Sequence, residues 1–443
     1  MLSKKKLIIF PTQRAIRNYL EKKKSLNTLL PTCLTIDDFL KKSIYLENKI
    51  YCDEEQRVLL LSEAIKDVDI KKLGISSSFT KFLTQSEYIY RFFLEISSEG
   101  IDINEIKTKD TYEFYGEHLA ILSEVLKNYK KLLDKNLFVD RLNLRENYRI
   151  NLEYLELFED ITIYFEAYFT KQEFEMILEI SKIKDLKINF FSNIYNQKSL
   201  QVFKNMDFEL KLDYIYTINL SKKEIISEIL LEETNKNIEI KGFSSRLNQL
   251  SYIKSSIVNC VNFGINPNKI AVILPDESFA ATLELFDREN YFNFAMGKTI
   301  LNKNIYQKSN AIYNYILENE LKNIENIKFL NLDFEFIEKE IKPFWNKVCT
   351  KERFIQITDF LKNLEQNLEI LEKYDEIVYK LNFVLFSQNF NLKLKDIYKI
   401  FLQKLAKISL DDAHSGKITV MGLLETRLID FDAIIICDFN NSF

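Results

Sequence analysis

A chain of 443 residues is too long for one ordinary domain. With 47% hydrophobic and 13% aromatic residues but only 8 Gly and 5 Pro, it has the makings of large packed cores and few of the turns of an all-β fold. A net charge of −4 excludes a uniformly basic polyanion binder, so any nucleic-acid surface has to be local. The first 24 residues carry such a bias, eight Lys or Arg against one Glu. The apolar run Leu7 to Phe10 is too short for a signal peptide, and no stretch is apolar and long enough to span a membrane.

The chain opens as a strand, Leu7 to Phe10, a turn at Pro11-Thr12, and a basic amphipathic helix from about Gln13 to Lys24. From there to about residue 150 the spacing predicts only helix, with Thr35 and Asp53 as caps and long helices over roughly 78–97 and 110–134. The stripe Phe79, Phe82, Tyr88, Phe92, Phe93 is read as helix core rather than as a base-stacking platform. After residue 150 the pattern alternates. Strands are expected at 161–165 and 186–191 around a helix that Thr170 and Glu173 open at capping-box spacing. A second round is expected from a strand at 237–241, a helix from Arg246, and a strand at 270–274. Helices return between about 303 and 412, before strands at 418–421 and 433–437, whose β-branched runs read as buried on both faces. The expected fold class is therefore α/β with much helix: a first unit over 1–235 interrupted by helices at about 35–150, and a second over 236–443 interrupted at about 303–412.

Chemistry is sparse along this chain. Five scattered cysteines suit a reducing cytoplasm, and His118 and His414 belong to no ligand cluster. Gly297-Lys298-Thr299 lacks the first glycine of a P-loop, since Phe292 stands there. Glu166 ends a strand with Ala167 where a motor ATPase needs a second acid. The strand-turn Phe10-Pro11-Thr12-Gln13-Arg14 is more suggestive, because a hydroxyl, an amide and helix N-terminal N–H groups can hold a phosphate, with Arg14 and Arg17 adding charge.

In order and spacing, several segments resemble the AddB subunit of bacterial AddAB helicase-nucleases. They are Phe10 to Arg14, Asp140-Arg141, Tyr164 to Thr170, Ile270 to Pro275, Asn293 to Gly297, and Met421 to Arg427 with Phe431-Asp432. The resemblance implies two RecA-like domains of the superfamily 1 helicase type, each with a helical insertion. It also implies a partner of AddA type that supplies the motor, and a role at double-strand DNA ends. A PD-(D/E)XK nuclease domain with Mg and possibly an iron–sulfur cluster is expected beyond Phe443, and no cofactor within this chain. Matching the helicase motif V on Phe431 puts Leu428 where active motors have glycine, so nucleotide chemistry is not expected there. The expected DNA contacts are Thr12, Gln13, Arg14 and Arg17 on the first unit and Arg246 and Arg427 on the second. The alternatives are a non-catalytic interaction scaffold and a nucleotide-using α/β enzyme centred on Gly297 to Thr299.

Overall fold

The computed structural model describes residues 5–23, 30–76, 79–106, 116–166, 168–232, 237–387, 391–410 and 416–439. Strands β1 (Lys5–Phe10), β2 (Thr32–Thr35), β3 (Phe158–Phe165), β4 (Asp185–Ser192), β5 (Tyr214–Asn219) and β6 (Glu224–Leu230) form one sheet, in the order β6-β5-β4-β3-β1-β2. The four on the β2 side run parallel, while β5 and β6 form an antiparallel hairpin on the other edge. Alternation in β3 turns Phe158, Ile161, Ile163 and Phe165 inward, onto a core shared with Leu7, Ile9, Leu186 and Ile188. Helix α1 (Gln13–Lys23) follows β1, and a later helix, Lys171–Ser181, seals this core with Phe174, Ile177 and Ile180. Its cap is the expected capping box: the Glu173 amide donates to Thr170 Oγ1 at 3.2 Å, and the Thr170 amide to Glu173 Oε2 at 2.9 Å.

The second sheet is all parallel, β8-β9-β7-β10, from β7 (Ile270–Leu274), β8 (Phe292–Phe294), β9 (Ile418–Gly422) and β10 (Ala433–Ile436). Every residue of the central strands β7 and β9 is buried. Leu250, Ile253 and Ile257 of the helix Arg246–Asn262, with Phe279 and Leu283, cover one face.

Between β2 and β3, and again between β8 and β9, the chain is mostly helical. Short strand pairs tie the ends of these excursions together: Ile44–Tyr45 with Arg149–Ile150, Ile50–Tyr51 with Phe138–Val139, and Lys298–Thr299 with Ser409–Leu410. The two helical layers also meet. Leu59 and Leu83 of the first share a core with Trp345, Tyr398 and Phe401 of the second. Lys404 Nζ lies 2.5 Å from Glu54 and 2.8 Å from Glu55, and Lys407 Nζ 2.6 Å from Glu54.

The structure corrects several expectations. The span up to residue 150 is not helix alone, because β2 and the short strands lie in it; at four half-buried residues, Thr-Cys-Leu-Thr is too brief to show a period. Residues 237–241 form no strand, and Ile238 and Ile240 stand 77% and 87% exposed with no partner edge. The hairpin of β5 and β6 takes their place in the sheet. The 433–437 run is not buried on both faces: β10 is an edge strand, with Ile434 and Ile436 about half exposed. In the aromatic stripe Phe82 and Phe93 are fully buried, whereas Tyr88 faces solvent. His414, Ala167 and residues 110–115 of the expected helix at 110–134 lie outside the described residues.

Candidate nucleic-acid interface

β1 stops because Pro11 has no N–H to continue the ladder. Thr12 then starts α1: its Oγ1 accepts the Ala15 amide at 3.1 Å and its carbonyl the Ile16 amide at 3.3 Å. Gln13 is exposed, and its Nε2 donates to Asp38 Oδ2 at 3.3 Å. Arg14 is half-buried and Arg17 exposed, a turn apart on the helix. Burial pulls the Arg14 guanidinium below its ordinary pKa, while the negative charge of Glu425 opposes the shift. Neither arginine has an ion-pair partner among the described residues.

Across from α1 lies the connection from β9 to β10. It leaves β9 at Gly422, makes a short 3-10 turn over Leu423–Thr426, and reaches Arg427 and Leu428. Arg427 is half-buried and also has no ion-pair partner among the described residues. Leu428 has φ +57°, the left-handed region that favours glycine. Its N–H donates to Glu166 Oε2 at 2.6 Å, and its carbonyl accepts Asn18 Nδ2 at 3.2 Å. Its side chain packs against the cluster of Phe10, Ala15 and Ile16, and Lys22 pairs with Asp430 at 2.5 Å.

Thr12, Gln13, Arg14, Arg17 and Arg427 are thus placed along one seam, at the C-terminal ends of β1 and β9. Open α/β sheets bind their ligands at such strand ends. Arg246 is placed differently. Its guanidinium lies 2.6 Å from Asp276 and 2.9 Å from Asp438, and 5.3 Å from the Phe279 ring centre. Two acids offset its charge and join the ends of β7 and β10. Hydrogen bonds from Ser278 and then Arg246 hold Asp276 down at about 2.

Three carboxylates at the seam went unassigned in the sequence. Glu166 had been visible as a lone acid at a strand end; burial pushes its carboxyl up, against the Leu428 amide and the Arg427 charge. Glu277 lies over Gly422, with Oε1 2.4 Å from where a Cβ would stand. Burial also raises Glu425, opposed by Arg14 and reinforced by Glu277. No local pattern marks the last two, because their meeting depends on how β7 and β9 pair.

Gly297 to Thr299 does not form a phosphate cradle. Lys298–Thr299 pairs with Ser409–Leu410 instead of forming the first turn of the following α-helix, which starts only at Asn304, and a Cβ on Gly297 would meet Ser409 Oγ at 2.0 Å. Among the described residues no group of three or more His, Cys, Asp or Glu is arranged to hold a metal, and no helix is long and apolar enough to cross a membrane.

No family model matches the chain. Over 332 residues it is 24% identical to the RecBCD enzyme subunit RecC of Buchnera aphidicola subsp. Acyrthosiphon pisum (strain APS), a match covering 71% of this chain and 28% of that protein. The chain is a distant homologue of that subunit and spans little more than a quarter of its length.

Proposed function

We propose that this chain is the DNA-binding, motor-inactive, helicase-like part of an AddB-type subunit of a recombination helicase-nuclease. The observation that carries the reading is the alignment of Arg14, Arg17 and Arg427 along one seam between two sheets, each without an ion-pair partner among the described residues. A guanidinium with no carboxylate in ion-pair contact at a strand-end crevice is available to a phosphate, and phosphate contacts supply most of the affinity for nucleic acid whatever its sequence. The distant similarity to RecC supports the same class.

On this reading the two sheets with their helices are RecA-like domains. One DNA strand crosses the seam: Arg14 and Arg17 hold phosphates from the first sheet's side and Arg427 from the second's, with Thr12 and Gln13 bordering the track. Arg246, already offset by Asp276 and Asp438, contributes to the fold of the second sheet more than to the strand. The motor belongs to an AddA-type partner, because Leu428 stands at the motif V glycine and Gly297 to Thr299 forms a strand pair. In the cytoplasm the assembled complex would act at double-strand DNA ends in recombinational repair. Exonuclease chemistry, with its Mg and iron–sulfur cluster, is not assigned to the described residues, which offer neither group a ligand set.

The test is the salt dependence of single-stranded DNA binding. Each phosphate contact contributes about 0.7 to the slope of log K against log salt, so Arg14→Ala, Arg17→Ala and Arg427→Ala together should flatten it by about 2. An unchanged slope removes these residues from the interface. If the wild-type chain with its AddA-type partner does not bind DNA ends at all, the scaffold reading replaces this one.

A further inference from the structure

We infer that the connection Gly422 to Asp432 is a strap that fixes the two sheets in one mutual orientation, with Leu428 as its pin. A non-glycine residue in the left-handed region is strained by about 1–2 kcal/mol. Leu428 holds that conformation because both its backbone groups and its side chain are engaged by the first sheet's side of the seam. The N–H goes to Glu166 and the carbonyl accepts from Asn18. The side chain packs against the cluster of Phe10, Ala15 and Ile16, on which Tyr164, stacked on Phe10 at 5.0 Å, and Tyr19, tilted against Phe10 at 5.1 Å, also pack. One residue beyond Ile429, Asp430 takes the Lys22 ammonium at 2.5 Å.

Beneath the strap the crevice is filled from within the chain. Glu277 occupies the space above Gly422, and Glu425 Oε2 is buried without a hydrogen-bond partner among the described residues. A hinge opening between the sheets would break the contacts of Leu428 with Glu166, Asn18 and the Phe10 cluster, and the Lys22–Asp430 pair, together. A two-lobed motor has to open and close such a crevice in each cycle. This chain instead holds it shut, and works as a rigid guide whose geometry is independent of nucleotide.

The inference does not depend on DNA passing along the seam, so its test is separate from the salt-slope experiment. Hydrogen exchange of the purified full chain would be followed in peptides covering 13–23, 160–166 and 423–432 at the seam, and 185–192 and 270–274 within the sheets. Leu428→Asp should speed exchange at the seam roughly tenfold and leave the sheet peptides unchanged. Lys22→Asp should do the same to a smaller degree, and adding Asp430→Lys should restore protection. In the wild-type chain ATP should leave seam exchange unaltered. Wild-type seam rates in Leu428→Asp, or a severalfold change on adding ATP, would overturn the inference. Should Leu428→Asp loosen the sheets as well, the charge-reversal pair decides: protection lost in Lys22→Asp and not regained in the double variant also overturns it.

Discussion

Glu54 is the place where the two helical layers are joined by charge, and replacing it with Gln tests how much that junction contributes. Burial opposes ionisation of Glu54, but hydrogen bonds and charge from Lys404 and Lys407 outweigh it and pull the carboxyl from 4.5 to about 2. At 1.36 kcal/mol per pH unit that shift corresponds to about 3.4 kcal/mol. The side chain is 36% exposed, so solvent screening reduces this; we take about 1.5 kcal/mol. A depressed carboxyl stabilises the fold above its unfolded pKa, and the stabilisation is lost as pH falls from about 4.5 towards 2. Glu54→Gln should therefore cost about 1.5 kcal/mol at pH 7 in urea unfolding, and progressively less as pH falls from about 4.5 towards 2. Lys404→Met should cost more at pH 7, since Glu55, only 11% exposed, loses its cation 2.8 Å away. A penalty for Glu54→Gln that does not shrink with acid, or a Glu54–Lys404 coupling near zero in a double-mutant cycle, would refute the reasoning.

Other positions separate fold from function. Arg246→Ala should lower the unfolding midpoint yet leave the salt slope of DNA binding intact, because its partners are Asp276 and Asp438; a flattened slope would return Arg246 to the interface. Asp140 is buried, takes the Tyr129 hydroxyl at 2.6 Å and caps the Leu142 amide at 2.8 Å. Asp140→Ala should cost about 3 kcal/mol by calorimetry and Tyr129→Phe about half of that. Gly416→Ala would set a Cβ 1.9 Å from the backbone of Tyr291 and should cost about 3 kcal/mol by disturbing the approach to β9. Gly422→Ala meets only the mobile end of Glu277 and should cost under about 1 kcal/mol in the same assay.

The elements legible in the sequence are those whose burial is written locally. β1 and α1 follow from an apolar run, a proline and a basic amphipathic stretch, and β7 from five residues that are all apolar and all buried. β6 was missed although Glu-Ile-Ile-Ser-Glu-Ile-Leu is β-prone. Six of its seven residues are exposed, so no alternation reports an inner face, and only pairing with β5 defines it. Conversely Asn-Ile-Glu-Ile-Lys at 237–241 alternates well but meets no open edge. Period identifies a strand only when a sheet is there to receive it.

The site follows the same division. Arg14 and Arg17 stand out as charge on a short helix after a strand, and α1 carries them to the seam as the pattern implies. Arg246 is equally conspicuous in the sequence, yet the acids that offset it arrive from two strand ends that only the parallel order of β7 and β10 makes neighbours. Leu428 joins the two cases. A leucine is a costly residue for a left-handed backbone position. Leu428 nevertheless takes the left-handed φ, with its amide turned to Glu166 and its side chain against the cluster of Phe10, Ala15 and Ile16. The hydrogen bonds that sustain that geometry, to Glu166 and from Asn18, come from the opposite side of the seam. That is the arrangement expected where a strained turn is held in place by contacts between two packed sheets.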